Sequence, residues 1–261
     1  MAESLPSFRL DGRIAVVTGA GTGIGRAIAE AFAAAGAHLL LAGRTEARLA
    51  DLKAVIEADG GRADVLRTDV TRLADVRALG EVARTLATSL DRHLVLVNNA
   101  GFGFTKPALE VSEQDWDALI DTHLKGTFFC CQQVGRTMLE RGYGKIINMS
   151  SAWAASTDAN KAPYCAAKAG ISHMTAALST EWAPRGVRVN ALAPTATLTE
   201  FTANVMASNP ERAERLRSRI KLGRFAMPAD HIGAALFLAS EASDFVTGHT
   251  LFTDGGLTAG G

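Results

Sequence analysis

Short apolar runs alternate with helical stretches along nearly the whole of this 261-residue chain. The runs predict strands over Ile14–Thr18, His38–Ala42, Ala63–Thr68, His93–Asn98, Lys145–Ser150, Val187–Ala193 and Thr250–Thr253. The stretches between them predict helices over Gly23–Ala35, Thr45–Asp59, Arg72–Ser89, Glu113–Arg141, Tyr164–Pro184 and Pro228–Ser240. Near-continuously apolar strands are typical of a parallel sheet that helices cover on both faces. The pattern therefore predicts an α/β fold, a doubly wound parallel sheet in a single domain over residues 1–261.

The longest segment outside this alternation is Pro194–Met227. It follows a strand candidate, so it should overhang the carboxyl end of that strand, where open α/β sheets bind their ligands. We predict that residues 194–227 form a substrate lid.

The first strand candidate leads into a glycine-rich turn, Thr18-Gly19-x3-Gly23-x-Gly25. Glycines allow the backbone to turn tightly and to approach a pyrophosphate, which then lies at a helix N-terminus. The strand before this turn and the helix after it favour dinucleotide binding over a tight loop without a ligand. The spacing differs from the commoner G-x-G-x-x-G pattern.

Tyr164 and Lys168 are four residues apart in a predicted helix, so their side chains project from one face. A lysine cation about 4 Å from a phenol favours the phenolate by up to ~4 kcal/mol at an effective dielectric constant of ~20. The pair is therefore a candidate acid/base, although such pairs also occur on ordinary surfaces. Ser151 follows the fifth strand candidate and could bind a substrate oxygen, unless it is only a turn residue.

These motifs occur in one order together with Asn98-Asn99-Ala100-Gly101, and Ser151 stands thirteen residues before Tyr164. In this the chain resembles the short-chain dehydrogenase/reductase family, in its single-domain Tyr-x3-Lys form. The resemblance covers Gly12 to Gly256. It implies an NAD(P)-dependent oxidoreductase that transfers a hydride between a nicotinamide and a secondary alcohol or ketone.

The resemblance also implies roles for individual residues. Ser151 would hold the substrate oxygen, Tyr164 would exchange its proton, and Lys168 would bind the nicotinamide ribose and lower the pKa of Tyr164. The cofactor-binding residues implied are Gly19, Thr22, Gly23, Ile24, Gly25, Arg44, Asp69, Val70, Asn99, Tyr164, Lys168 and Pro194.

The chain departs from the family pattern at two positions. His123 stands where the family has its fourth catalytic residue, an asparagine on a kinked helix whose carbonyl holds a relay water. His123 could join the proton relay or could be a packed structural replacement. Thr195 follows Pro194 where the family usually has glycine, and a β-branched residue resists positive φ, so this loop is expected to run differently.

The end of the second strand candidate bears on the choice of cofactor. Gly43 occupies the position where NAD enzymes place an acid for the ribose 2′-hydroxyl, and Arg44 follows it. A guanidinium can bind a phosphate bidentately and stack on adenine, which favours NADP(H) over NAD(H). Thr22 stands where many NADP-using relatives add a second basic residue, so an NAD(H) enzyme with Arg44 as an adenine shelf stays the alternative.

Composition argues against several other functions. Basic and acidic residues number 27 each, which gives no sign of a nucleic-acid surface. No apolar run approaches the ~18 residues of a membrane span, and residues 1–7 show no leader pattern. Three cysteines, of which Cys130 and Cys131 are adjacent, indicate neither a disulfide framework nor a metal site. We expect a cytoplasmic, soluble protein that acts on a small molecule.

The sequence says less about the substrate and about the oligomeric state. Candidate pocket residues are Trp153, Ala154, Ala155, Phe102, Phe104 and the segment Thr195–Phe201, whereas Asp158, Asn160 and Lys161 could receive a polyol. The segment Asn209–Arg224 holds six basic residues, which could attract a phosphate, a carboxylate or an acidic carrier protein. Because Glu211 and Glu214 are interleaved with them, a solvated helix face is favoured.

Two alternative functions follow from these residues. The chain could be a 3-oxoacyl-thioester reductase that docks a carrier protein on its basic segment. It could also be a non-catalytic dinucleotide-binding regulator, against which the combination of Ser151 with Tyr164 argues. Family resemblance further implies a homotetramer formed through the long helices, which carry Phe128, Phe129, Met138, Ile171 and Met174.

Overall fold

Seven parallel strands form one sheet in the computed structural model, which describes residues 6–259 apart from the side chains of residues 201, 204 and 205. Their order across the sheet is β3-β2-β1-β4-β5-β6-β7. The strands are β1 (Arg13–Thr18), β2 (His38–Gly43), β3 (Arg62–Arg67), β4 (His93–Asn98), β5 (Gly144–Met149), β6 (Val187–Pro194) and β7 (Thr250–Thr253). The predicted doubly wound parallel sheet is confirmed. The prediction about a leader in residues 1–7 falls mostly on residues 1–5, which lie outside the described range.

The helices cover both faces of this sheet. They are α1 (Gly23–Ala34), α2 (Glu46–Ala58), α3 (Leu73–Ser89), α4 (Glu113–Ile120), α5 (Gly126–Glu140), α6 (Ala162–Trp182), α7 (Glu200–Ala207), α8 (Pro210–Arg219) and α9 (Ile232–Ala239). Among the described residues, none of the helices has the length and apolar character needed to cross a membrane.

Alternate residues of each central strand enter two separate hydrophobic cores. In β1, Ala15 and Val17 join the core beneath α1, α2 and α9, while Ile14 and Val16 join the core beneath α3, α5 and α6. All four are fully buried. Because both faces are buried, the strand must be apolar throughout, which is the pattern that the sequence displays.

The strand order reverses between β1 and β4, which pair in register so that Thr18 lies opposite Asn98. The connection that follows β1 and the one that follows β4 run on opposite faces of the sheet, which opens a crevice at the carboxyl ends of these two strands. The glycine turn and the Asn98–Gly101 segment both begin at this crevice. The fold therefore brings these two sequence motifs together.

The predicted helix over Glu113–Arg141 is present from Glu113 to Glu140, and a π-helical turn over Asp121–Lys125 separates its two parts, α4 and α5. In this turn the backbone N–H of Gly126 donates to the carbonyl of Asp121, five residues earlier. A side chain at Gly126 would press to 3.1 Å from Val70. One extra residue rotates the faces of the following helix by about 100°, but periodicity over so short a run does not locate the step.

The segment after β6 folds back over the crevice as α7 and α8. Its two ends are joined by a parallel bridge between Thr197 and Ala226. The imidazole of buried His231 connects this base to the sheet, with Nε2 2.9 Å from the hydroxyl of Thr197 and Nδ1 2.8 Å from that of Thr253. Above the base, α8 packs on Trp153 through Leu216, which lies beside the buried residue Ile220.

Candidate active site

The glycine turn is shaped by close backbone contacts. Gly19 and Gly23 have φ values of +64° and +56°, which glycine adopts without strain. A Cβ on Gly19 would lie 2.8 Å from the Cα of Ala100, and one on Gly25 would overlap the Asn99 amide. The turn therefore has a surface that only glycine permits at these positions.

The N-terminus of α1 is open to an anion. Thr22, at its N-cap, makes no side-chain capping hydrogen bond, and the first turn contains no acidic residue. Uncapped N–H groups at a helix N-terminus favour a phosphate. The glycine cradle and this open N-terminus fit the pyrophosphate of a dinucleotide, with Gly23, Ile24 and Gly25 as the residues that would face it.

Asn99 supports the turn from the neighbouring strand. Its side-chain amide donates to the carbonyls of Thr18 and Gly19 at 3.2 Å and 3.1 Å. The Thr18 hydroxyl in turn accepts from the backbone N–H groups of Asn99 and Ala100. Because Asn99 also lines the crevice, it joins the two motifs on either side of the reversal point.

The end of β2 carries two arginines, one of which sequence reasoning missed. Arg44 is exposed, and its charge lies close enough to Asp69 to help lower the pKa of that carboxyl group. Arg48, on α2, is also exposed and lies against the glycine turn, since a Cβ on Gly21 would come within 3.1 Å of the Cβ of Arg48. Neither guanidinium has a hydrogen-bond partner among the described residues. The sequence holds no signal for Arg48, since Arg44 precedes α2 and the two residues share no helix face.

Asp69 and Val70 follow β3. Burial alone would raise the pKa of Asp69, but hydrogen bonds from the hydroxyl and backbone N–H of Thr71 leave it below its ordinary value. Val70 packs against Gly126, just after the π turn. These two residues therefore connect the end of β3, where the resemblance implies cofactor binding, to the helical segment that carries His123.

Ser151 and Tyr164 meet at the carboxyl end of β5. The Ser151 hydroxyl accepts from the backbone N–H of Trp153 at 3.2 Å, which fixes its position. The Ser151 hydroxyl lies near the Tyr164 hydroxyl and opposes the burial that raises the pKa of that phenol. Both side chains line the same cavity, so the structure brings together the pair that the sequence predicts.

Lys168 lies one helical turn beyond Tyr164, with its Nζ 5.6 Å from the centre of the tyrosine ring and donating to the carbonyl of Met149 at 2.6 Å. Burial lowers the pKa of Lys168 to about 7. Burial likewise raises the pKa of Tyr164 to about 12. Loss of solvent opposes the charge on each of these side chains. That Lys168 lowers the pKa of Tyr164 stays a prediction.

His123 is buried within the π turn and contacts the tyrosine edge-on, with ring centres 5.5 Å apart. Its Nε2 lies 2.6 Å from the carbonyl oxygen of Phe102, to which a neutral ring donates, while Nδ1 is buried without a partner among the described residues. Burial, reinforced by the nearby charge of Lys168, lowers the pKa of His123 to about 3. The ring is therefore neutral at neutral pH, and it does not ionise near the ordinary histidine pKa of about 6.5.

Pro194 ends β6, and its carbonyl accepts from the Ser151 hydroxyl at 3.5 Å. The following residue, Thr195, does not adopt positive φ, as its β-branched side chain requires. Its Oγ1 is buried without a hydrogen-bond partner among the described residues, although the residue lines the crevice. A buried, unpaired hydroxyl beside the catalytic pair fits a polar group of a bound cofactor or substrate.

The crevice is a cavity of about 630 Å³. Of the predicted pocket residues, Phe102, Phe104, Trp153 and Lys161 line it, whereas Ala154 and Ala155 do not. Asp158 and Asn160 line an adjoining cavity instead. The side chain of Phe201 lies outside the described part of the chain. Among the described residues no cluster of three or more His, Cys, Asp or Glu side chains could hold a metal.

Comparisons with known proteins agree with this site. A family model described as enoyl-(acyl carrier protein) reductase matches residues 19–258. The chain is 41% identical over 251 residues to D-threitol dehydrogenase of Mycolicibacterium smegmatis, which covers 96% of this chain and 95% of that protein. It is 36% identical over 252 residues to NAD-dependent glycerol dehydrogenase of Listeria innocua, with 96% of each covered. The solved structure of gluconate 5-dehydrogenase from Burkholderia cenocepacia, in complex with NADP and tartrate, is 38% identical with a TM-score of 0.92 and covers 99% of this chain and 100% of that one.

The parallel sheet, the glycine turn and the Ser–Tyr–Lys arrangement thus define a dinucleotide-dependent oxidoreductase. The chain belongs to the short-chain dehydrogenase/reductase family. It is an NAD(P)-dependent enzyme that transfers a hydride between a nicotinamide and a secondary alcohol or ketone.

Proposed function

We propose that this enzyme interconverts a polyol and the corresponding ketose, with Tyr164 as its acid/base and NADP(H) as its preferred cofactor. The observation that carries the catalytic assignment is that Ser151, Tyr164 and Lys168 line one crevice, which Ile24 of the glycine turn also lines. Relatives that act on threitol and glycerol support the substrate class. Four threonines are among the residues that line the crevice, Thr105, Thr197, Thr199 and Thr202.

The proposed chemistry follows from the positions of the three side chains. When bound, the nicotinamide supplies or accepts the hydride and, in its oxidised form, adds a positive charge. Ser151 donates a hydrogen bond to the substrate oxygen. Tyr164, a neutral phenol at neutral pH, gives its proton to that oxygen as the ketone becomes the alcohol, and takes it back in the reverse direction. Lys168 holds its amine next to the tyrosine from the carbonyl of Met149.

A spectrophotometric assay of NAD(P)H at 340 nm with alditols, ketoses and 3-oxoacyl thioesters tests this proposal. We expect turnover with a polyol–ketose pair, and Tyr164→Phe to lower kcat at least ~10²-fold with cofactor affinity retained. Tyr143→Phe is the matched control, since the Tyr143 hydroxyl bonds to Asp244 and the residue does not line the crevice. Wild-type kcat in Tyr164→Phe would refute the catalytic assignment.

The preference for NADP(H) rests on the two unpaired arginines beside the turn. Arg44 and Arg48 offer two cations to a 2′-phosphate, and Gly43 presents no carboxylate to repel it. We expect Arg44→Ala and Arg48→Ala each to weaken NADPH more than NADH, by roughly the 1.5–3 kcal/mol of a charge-assisted contact. Gly43→Asp should favour NADH, because a Cβ there meets only Leu49 at an ordinary distance of 3.4 Å.

Equal losses of NADPH and NADH affinity in both arginine variants would show that these residues only support the adenine. Arg84→Ala is the control, since Arg84 is exposed on α3, pairs with Glu81 and does not line the crevice. Titration of intrinsic fluorescence measures each dissociation constant directly.

We further propose a cytoplasmic homotetramer in which residues 194–227 form the substrate lid. Exposed Phe128 on α5 supports assembly through this helix. Met138 and Ile171 do not, since the structure buries both within the monomer, contrary to the sequence-based expectation. A sedimentation experiment at micromolar concentration should give four times the mass of the 27.4 kDa chain, and a monomer would contradict the proposal.

A further inference from the structure

Two cations lie on the side of the crevice away from the glycine turn. Lys161, immediately before α6, places its Nζ 5.6 Å from the centre of the Tyr164 ring. Its ammonium group has no hydrogen-bond acceptor among the described residues. Arg212, on α8, also lines the crevice, and its charge acts on Lys161. None of the described residues that line the crevice is acidic.

A second cavity, of about 480 Å³, adjoins the crevice at this end. Thr105, Asn209, Arg212 and Leu216 line both cavities, so the two lie side by side. Arg212, Arg215 and Arg219 face the second cavity from α8, and the acid among its described lining residues is Asp158. The net charge of this lining is therefore positive.

Positions 212, 215 and 219 lie on one face of α8, since they are three and four residues apart. Arg212 bonds to Asp158 at 2.8 Å, and Arg219 bonds to Ser156 and to the carbonyl of Thr157. The guanidinium of Arg215 has neither a hydrogen bond nor an ion pair among the described residues. The cations on this face are thus directed at a cavity, and the sequence-based preference for a solvated face is incomplete.

Two other charged residues of α8, Arg217 and Glu214, differ from the arginines that face the second cavity. They form an ion pair with each other, both are exposed, and neither lines a cavity. In such a pair each charge is balanced by the other, as is usual on a solvated helix face. Lys161 and Arg215 lack any such partner, so their charges remain available to a ligand.

We infer that the substrate carries an anionic group, a carboxylate or a phosphate, which Lys161, Arg212 and Arg215 bind while its reacting carbon lies at Ser151 and Tyr164. The inference rests on the proposed function and narrows its substrate from polyols in general to anionic ones. The second cavity shares no residue with the glycine turn, so the anion bound there is that of the substrate and not that of the cofactor.

The test compares gluconate with glucitol and with glucitol 6-phosphate, which share a six-carbon chain and differ in the terminal group. We expect kcat/KM to be higher for one of the two anions than for glucitol. Lys161→Met should lower kcat/KM for that anion by ~10-fold or more, mainly through KM, and Arg215→Gln by about 3-fold because it is exposed. In Arg215→Gln, which lies outside the crevice itself, glucitol turnover and NADPH affinity should change less than about 2-fold. Arg217→Gln, the matched control on the same helix, should leave all three substrates unaffected.

A wild-type enzyme that prefers glucitol, or variants that slow all three substrates equally, would overturn the inference while leaving the proposed function intact. A 3-oxoacyl thioester that reacts faster on its carrier protein than free, in an Arg215-dependent way, would assign the cations to a protein instead. If no substrate is turned over, the proposed function fails. The inference is then decided by calorimetric binding of gluconate to the protein–NADP complex, which Lys161→Met should weaken.

Discussion

Replacement of His123 by asparagine should make the protein less sensitive to acid. In the folded chain the ring is buried and its pKa is lowered to about 3, whereas an unfolded chain has a histidine pKa of about 6.5. Between these values the unfolded chain binds a proton that the folded chain does not, so stability falls as the pH drops. At pH 5, about 1.5 pH units below the unfolded pKa, this difference amounts to ~2 kcal/mol in the free energy of unfolding. At pH 8 it vanishes.

Urea denaturation of wild-type and His123→Asn protein at pH 5, 6 and 8, at one protein concentration, measures the effect. We expect the stability of the variant relative to wild type to rise by ~2 kcal/mol from pH 8 to pH 5. His173→Asn serves as the control, since His173 is an exposed residue of α6. Parallel pH dependences for wild type and His123→Asn would refute the argument from burial. A kcat profile that carries an ionisation near 6.5, absent in His123→Asn, would place a protonated ring in the reaction instead.

Three further outcomes follow from buried contacts. Gly25→Ala should lose ~2 kcal/mol or more of stability, together with cofactor affinity, because its Cβ would overlap Asn99, whereas the control Gly233→Ala, with open space around it, should be neutral or slightly stabilised in thermal denaturation. Lys168→Met should abolish turnover. Wild-type stability should rise relative to that of Lys168→Met between pH 7 and 10, where only the unfolded chain keeps its lysine protonated, and equal slopes in chemical denaturation would contradict this. Thr195→Val should leave stability unchanged or raise it by up to ~1 kcal/mol, because the hydroxyl it removes is unpaired, while weakening binding of cofactor or substrate in a fluorescence titration.

The sequence predicts the sheet well because burial on both faces leaves a strong local signal. All seven strands lie within one residue or so of the predicted runs, and their carboxyl ends bring together Thr18, Asn99 and Ser151 as expected. Family resemblance implies a kinked helix at His123, and the structure contains a π turn there, which apolar periodicity alone does not locate. The helix over Pro228–Ser240 likewise begins as a 3-10 turn, Pro228–His231, before α9.

Electrostatics at the site was less predictable than residue identity. Spacing alone places Lys168 beside Tyr164, but the direction of each pKa shift depends on how far the pair is removed from water. In the same way, the sequence shows that α8 is rich in arginine without showing which arginines face a cavity. That division depends on the loop before α6, which lies opposite α8 and is distant from it in the chain.

The contacts that hold the segment after β6 to the sheet have an evolutionary consequence. Thr197, His231 and Thr253 fasten this segment to the sheet, and none of them belongs to α8. Residues 210–219 can therefore diverge with little cost to the sheet or to the glycine turn. An exchange of this one helix between relatives of different substrate preference would be a short path to new specificity, while the cofactor and the acid/base are inherited unchanged.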